Sequence, residues 1–307
     1  MNIGNVYLSM GEYEKAREHY DKSLSIQRII GDRQGEALSY TNLGKLYKSV
    51  TEYEKAREYL EKSLVIQKDI RDRRGEAFSY RDLGNVCQSV SEYEKAREHL
   101  EKSLAIQKEI KNRRGEASSS TYLGNVYKSV GDYEKAREHY EKSLAIKKEI
   151  GGGEGEASSY MNLGNVYQSV GEYEKAREHY EKSLVIQRGI GDRQGEASSY
   201  GNLGEAYRSL GEHKKAREHL EKSLAIQKEI GNRAGEASSY GNLGNLYDSV
   251  GEYDKAREHY EKSLVIQKEI GNNSLEALCC GNLGSVYLSV GEYEKARKHL
   301  EKSLAIQ

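Results

Sequence analysis

The sequence predicts an all-α solenoid of about eight helix-turn-helix units, and three observations carry that prediction. Aligned on Tyr-x-x-Leu-Gly, the chain returns to one pattern at Tyr40, Tyr80, Tyr160, Tyr200 and Tyr240, with Ser120 and Cys280 substituting, so the period is 40 residues without an insertion. A fixed period of this length marks tandem structural units. Within each period the apolar residues recur at helical spacing. Proline is absent while glycine occurs 31 times, so left-handed glycines must end the helices.

The first helix of a repeat, helix A, is typified by residues 195–209, GEASSYGNLGEAYRS, where Tyr200, Leu203, Ala206 and Tyr207 fall on one stripe. A Ser-Val-Gly-Glu turn follows, its glycine supplying the left-handed residue. Helix B is typified by residues 173–190, YEKAREHYEKSLVIQRGI, with Tyr173, Ala176, Tyr180, Leu184, Ile186 and Ile190 apolar. Its outer face carries Lys175, Arg177, Glu178, Glu181 and Lys182, whose i, i+3 and i+4 pairs contribute roughly 0.2–0.5 kcal/mol each. Without proline to stop it, helix B is expected to run about a turn longer than a compact unit needs. Gly-Asp-Arg-Gln-Gly reads as the linker to the next repeat. One such hairpin cannot bury its apolar stripe alone, so neighbours must stack. The chain divides as one array over 1–307: a partial repeat at about 1–30, then 31–70, 71–110, 111–150, 151–190, 191–230, 231–270 and 271–307.

Composition narrows the functions. The chain is 36% hydrophobic and 32% charged, with net charge −1 and 25 Tyr against one Phe and no Trp. A charge near zero supplies no field for nucleic acid or an anionic membrane. Acidic neighbours beside nearly every Lys and Arg argue against RNA reading by a helical repeat. No apolar run approaches a membrane span, and Met1 is followed by no signal segment, so a cytoplasmic location is expected. Cys87, Cys279 and Cys280 are odd in number and read as reduced thiols buried at apolar repeat positions rather than a disulfide framework.

The pattern Tyr40-x2-Leu43-Gly44-x2-Tyr47-x8-Ala56-x3-Leu60-x2-Ser63 resembles the tetratricopeptide repeat, and the resemblance covers the chain in eight registers. In that family the small residues, here Gly44 and Ala56, let the two helices approach. Tyr40, Leu43, Tyr47 and Leu60 fill the space between them. The resemblance implies a right-handed superhelix whose concave groove, lined by helix A, holds an extended partner segment. A 40-residue period, the missing proline and the linker Gly-Asp-Arg-x-Gly-Glu-Ala at 31–37 and 191–197 look like the long-repeat subclass of LGN/Pins-type adaptors.

Helix B barely varies among the copies, whereas four helix A positions do. They read Leu38, Phe78, Ser118, Ser158, Ser198, Ser238, Leu278; Thr41, Arg81, Thr121, Met161, Gly201, Gly241, Gly281; Lys45, Asn85, Asn125, Asn165, Glu205, Asn245, Ser285; and Lys48, Gln88, Lys128, Gln168, Arg208, Asp248, Leu288. Spaced i, i+3, i+7, i+10, they share a stripe away from the packing residues. Beside them runs an asparagine series, Asn42, Asn162, Asn202, Asn242 and Asn282, broken by Asp82 and Tyr122. A carboxamide both donates and accepts, so such a ladder suits a peptide backbone. The expected groove therefore comprises Asn42, Lys45, Lys48, Arg81, Asn85, Asn125, Lys128, Asn162, Asn165, Asn202, Arg208, Asn242, Asn245 and Asn282. Its first half is basic and suits an acidic or phosphorylated segment, while glycines 201, 241 and 281 leave room for a bulky side chain.

No constellation reads as chemistry, and no cofactor or metal is expected. Seven histidines, His19, His99, His139, His179, His219, His259 and His299, fall once per repeat, too widely spread to converge on one ion. No nucleophile, base and orienting acid stand out from the periodic background. The run Gly151–Gly155 lacks the Lys-Ser/Thr of a phosphate loop and reads as a flexible joint between the fourth and fifth repeats. Met1 falls within a helix A and Gln307 within a helix B, so apolar residues near the ends, Ile3, Tyr7, Leu300, Leu304 and Ile306, are expected to face outward. That predicts a piece of a longer array or end-to-end association. A non-catalytic adaptor for a peptide or disordered segment is the primary expectation. A structural or sensory segment of a larger signalling protein, or a consensus-like engineered array with an idle groove, is the alternative.

Overall fold

The computed structural model describes residues 2–306, and every regular element among them is an α-helix. The A helices are α1 (Asn2–Ser9), α3 (Arg33–Ser49), α5 (Arg73–Ser89), α7 (Arg113–Ser129), α9 (Gly153–Ser169), α11 (Arg193–Ser209), α13 (Arg233–Ser249) and α15 (Asn273–Ser289). The B helices are α2 (Tyr13–Ile30), α4 (Tyr53–Asp69), α6 (Tyr93–Glu109), α8 (Tyr133–Glu149), α10 (Tyr173–Gly189), α12 (His213–Glu229), α14 (Tyr253–Glu269) and α16 (Tyr293–Ile306). None is long and apolar enough to cross a membrane. Met1 and Gln307, on which the expectation about the chain ends turns, lie outside the described residues.

Contacts group the chain into two compact units that divide between Gly152 and Gly153. In the first, α1–α2, α3–α4, α5–α6 and α7–α8 form hairpins, and α2, α4 and α6 pack on the following A helix. The second repeats this order, with hairpins α9–α10 to α15–α16 and with α10, α12 and α14 on the following A helix. Successive A helices also meet, α3 with α5, α5 with α7 and α11 with α13, so a row of A helices forms one face of each unit.

Packing follows the small-large alternation. A Cβ on Gly84 would sit 2.6 Å from Leu100 Cγ and 3.0 Å from the Ala96 carbonyl, so only glycine lets α5 and α6 approach. Leu100 and Ala96 are fully buried; burying such a leucine contributes ~1.5–3 kcal/mol. Buried serines tie helices together: Ser103 Oγ donates to the Ala77 carbonyl at 2.8 Å and lies 2.9 Å from Ser119 Oγ in the next repeat.

Helix A starts two residues earlier than its apolar stripe implies, at Arg193 rather than Gly195. The Asp192 carboxylate accepts from the Gly195 N–H at 2.9 Å, so most of the expected linker is the helix's first turn. Asp32, Asp72, Asn112, Asn232 and Asn272 cap their helices alike; each cap contributes ~1 kcal/mol. The run at 151–155, expected as a joint, likewise places Gly153–Gly155 inside α9. Gly152 there stands where the other repeats hold a capping Asp or Asn. The fifth repeat lacks a clamp as well. Arg73 reaches both Glu76 and Glu109 at 2.5 Å, and Arg33, Arg113, Arg193 and Arg233 span the same positions. Here both ends are glycine, Gly153 and Gly189.

Most stops use left-handed glycine as expected, Gly171 at φ 79° for example. Thr51, Arg71, Ser91 and Lys111 adopt the same conformation, at φ 62°, 58°, 60° and 55°, because the chain must reverse there whatever residue is present. The three cysteines are buried free thiols. Cys279, however, occupies the buried serine position rather than an apolar one, its Sγ 3.3 Å from Ser263 Oγ. Near the chain ends Ile3 and Leu304 are 57% and 73% exposed, whereas Tyr7, Leu300 and Ile306 are half-buried.

Candidate functional site

The variable stripe lies on the row of A helices, and its four positions do different work. Leu38 and Leu278 are exposed. Thr41 is buried instead, its hydroxyl 2.8 Å from Ser63 Oγ on helix B, and Thr121 meets Ser143 at the same distance. Where glycine replaces threonine, a Cβ would meet only a serine hydroxyl, at 3.5 Å from Gly201, 3.8 Å from Gly241 and 3.7 Å from Gly281. Packing does not require those glycines.

The third position is divided between site and scaffold. Asn125, Asn165 and Asn245 accept from Tyr140, Tyr180 and Tyr260 at 2.7, 2.9 and 2.8 Å. Their amide oxygens are therefore committed to buried tyrosines, leaving the NH2 groups for a ligand. Burial raises the pKa of all three tyrosines, keeping them protonated donors. Lys45 instead approaches Asp82 at 3.4 Å, Glu205 pairs with Arg208 at 2.7 Å, and the repeat of Asn85 carries Leu100 at the tyrosine position.

The fourth position reaches along the row. Gln88 donates to Ser129 at 3.1 Å and Gln168 to Ser209 at 3.2 Å, one repeat on. Lys48 is half-buried, and desolvation lowers its pKa against the opposing pull of Asp82. Lys128 is half-buried too.

Among the asparagine series, Asn202 donates to Met161 Sδ at 2.8 Å. Asn42, Asn162, Asn242 and Asn282 are buried or half-buried and make no hydrogen bond among the described residues. Such amides hold unused donors and acceptors on the row. Where the series breaks, one oxygen of Asp82, Oδ1, accepts from both Nε and Nη2 of its neighbour Arg81, at 2.9 and 2.7 Å.

Between α3 and α5 the face deepens into a pocket of about 380 Å³ lined by Lys45 and Arg81 together with Leu38, Gln67, Arg74 and Phe78. Sequence reasoning placed Lys45 and Arg81 in the groove and Leu38 and Phe78 on its variable stripe, but not Gln67 or Arg74. Arg74 was missed because the linker hid it, although its position varies as freely as the stripe: Gln34, Arg74, Arg114, Glu154, Gln194, Ala234, Ser274. Gln67 was missed because helix B looks constant.

The histidines stack on tyrosines rather than gather. His179 lies 5.1 Å from Tyr167 and His219 5.1 Å from Tyr207, both parallel. Among the described residues no group of His, Cys, Asp and Glu is arranged to hold a metal ion.

The sequence profile described as tetratricopeptide repeat matches residues 1–69, 75–149, 155–229 and 235–307. Among curated proteins none matches the chain. Among solved structures the chain is similar to the apo quorum sensor NprR from B. thuringiensis, at 18% identity and TM-score 0.74, over 98% of this chain and 84% of that one. It is also similar to a signal transduction ATPase with a tetratricopeptide repeat sensor from Pyrococcus horikoshii, at 20% identity and TM-score 0.72, over 97% of this chain and 48% of that one. A putative kinesin light chain from Podosopora anserina with nearly identical repeats matches at 25% identity and TM-score 0.54, over 63% of this chain and 96% of that one.

Proposed function

This chain belongs to the tetratricopeptide repeat family, and on that premise we propose that it is a non-catalytic adaptor whose A-helix face holds an extended peptide or disordered segment of a partner. One observation carries the reading. The scaffold positions have fixed internal partners, as Ser63 has in the Ala37 carbonyl, whereas Asn42, Asn162, Asn242 and Asn282 on the variable face have none among the described residues. A polar group kept off the scaffold network is available to a ligand backbone. Sensor functions named for the similar structures fit the same face, and the 40-residue period supports the LGN/Pins-like subclass. The basic residues Lys45, Lys48, Arg81 and Lys128 favour an acidic segment in the first half.

Competition binding tests the reading. A peptide that binds the intact chain should lose affinity for Asn242→Ala and for Arg81→Glu; unchanged affinity in both sinks it. End-to-end association through the exposed Ile3 and Leu304 is a separate part of the proposal. A strict monomer in sedimentation over a wide concentration range would remove it.

A further inference from the structure

We propose that the pocket between α3 and α5 reads the partner's charge, taking an Asp or Glu side chain that neighbours an apolar residue in an extended segment. This rests on the groove reading above and narrows it to one site and one chemistry.

Charge is the first argument. Lys45 and Arg81 share one carboxylate, Asp82, at 3.4 and 2.7 Å. Arg74 has no carboxylate partner among the described residues, and Asp72 is occupied in capping Gly75 at 2.9 Å. Three cations therefore meet two carboxylates, and an anion completes the set.

The walls are the second argument. Phe78, the one phenylalanine of the chain, lies between two guanidinium groups, 5.7 Å from Arg74 and 5.1 Å from Arg81. This stacking holds both cations against the ring that lines the pocket. Leu38 lines the same pocket from α3. The following four repeats carry serine at this position, Ser118, Ser158, Ser198 and Ser238, so two large apolar walls come together here and not there. An anion alone gains nothing from such walls; an acidic residue beside an apolar one does.

A buried acceptor is the third. Gln67 lines the pocket, is 5% exposed, and its Oε1 has no hydrogen-bond partner. At the equivalent position Gln187 Oε1 accepts from Ser199 at 2.5 Å, whereas Gln107, Gln227 and Gln267 leave this oxygen unpaired as Gln67 does. Ser79 instead turns toward Ser63, leaving the Gln67 oxygen without a donor. A buried unpaired acceptor is costly; a rotation of its amide would let a bound peptide N–H supply the donor.

The test pans a random peptide library displayed on phage against the intact chain, then measures synthetic versions of the recovered peptides. Incorporated 4-fluorophenylalanine gives one 19F signal, at Phe78. Recovered peptides should be enriched in Asp or Glu next to an apolar residue and should move that signal. They should bind Arg74→Gln about five- to tenfold more weakly, as loss of a charge-assisted contact entails. Arg74 is exposed and holds no internal ion pair, so that variant keeps the fold. Peptides that bind without acidic enrichment, or that bind Arg74→Gln equally and leave the signal unmoved, overturn the pocket while Asn242→Ala still reports on the groove. Recovery of no binding peptide overturns the groove reading, and the pocket with it.

Discussion

The Tyr180 hydroxyl donates to Asn165 Oδ1 at 2.9 Å, joining α10 to α9 at the edge of the variable face. The pair recurs as Tyr20–Asn5, Tyr140–Asn125 and Tyr260–Asn245. Repeats with leucine at the tyrosine position carry Lys45, Asn85, Glu205 or Ser285 opposite it. An apparent site residue is thus partly an answer to what lies beneath it, which makes its stability cost predictable.

Asn165→Ala should cost ~1–2 kcal/mol, since it strands a hydroxyl on a tyrosine only 2% exposed. Tyr180→Phe should cost about 1 kcal/mol. The double variant should cost less than the sum by at least about 0.5 kcal/mol in urea denaturation. Strict additivity would refute the coupling.

Two glycines one turn apart on α13 should respond oppositely to alanine. At Gly241 a Cβ meets only Ser263 Oγ at 3.8 Å, so Gly241→Ala should stabilise by ~0.5–1 kcal/mol through helix propensity. At Gly244 a Cβ would lie 2.5 Å from the Tyr260 ring, so overpacking of ~1–3 kcal/mol outweighs that gain. Thermal melts of the two variants settle the sign. A stable Gly241→Ala protein with weakened peptide binding would also tie that glycine to ligand room rather than to folding.

Gly152→Asp should raise the melting temperature by restoring the missing cap of α9, a gain of about 1 kcal/mol. The position is free of steric conflict, its nearest atom being the Lys147 carbonyl at 3.7 Å from a built Cβ, and its φ is not positive. No gain on melting would show that this helix start is satisfied by other means.

Thr51→Gly should stabilise by ~1 kcal/mol, because a β-branched residue at φ 62° is strained where glycine is not. Lys111→Gly, at φ 55°, should follow in the same direction. Glycine's larger unfolded-state entropy opposes the gain, so urea midpoints that fall in both variants would mean that it dominates.

Acid should loosen the stack. Burial lowers the pKa of His99, His139, His219 and His299. The unfolded chain titrates near ~6.5 and so binds protons first as pH falls. The stabilisation is full above about 6.5 and is lost as pH falls through the lowered native values. Tyr59 already occupies this position in one repeat, stacked on Tyr47 at 5.2 Å. Changing His139 and His219 to tyrosine should therefore flatten the fall in urea midpoint between pH 7.5 and 5.5; an unchanged slope would count against the histidines.

The repeat, its two helices and its turns were legible in the sequence because periodicity and glycine placement are local signals. So was the stripe that varies: Lys45 and Arg81, 36 residues apart in the chain, do line one pocket. Helix A's true start was less legible, since Asp192 acts through a backbone bond to Gly195 that apolar spacing does not register.

By itself the sequence determined that this chain is a stack of near-identical helical hairpins, because one hairpin cannot bury its own apolar stripe and a constant period lets each cover the next. Only the tertiary structure decided which letters of the variable face are free. Asn165 and Asn242, at two repeat positions, both read in sequence as groove amides, yet one amide oxygen is taken by Tyr180 and the other amide is unbonded within the described chain. The reason is physical: a hydrogen bond depends on what helix B places beneath each position, and Leu38 and Lys45 of α3 join Phe78 and Arg81 of α5 in one pocket only when the two helices come together.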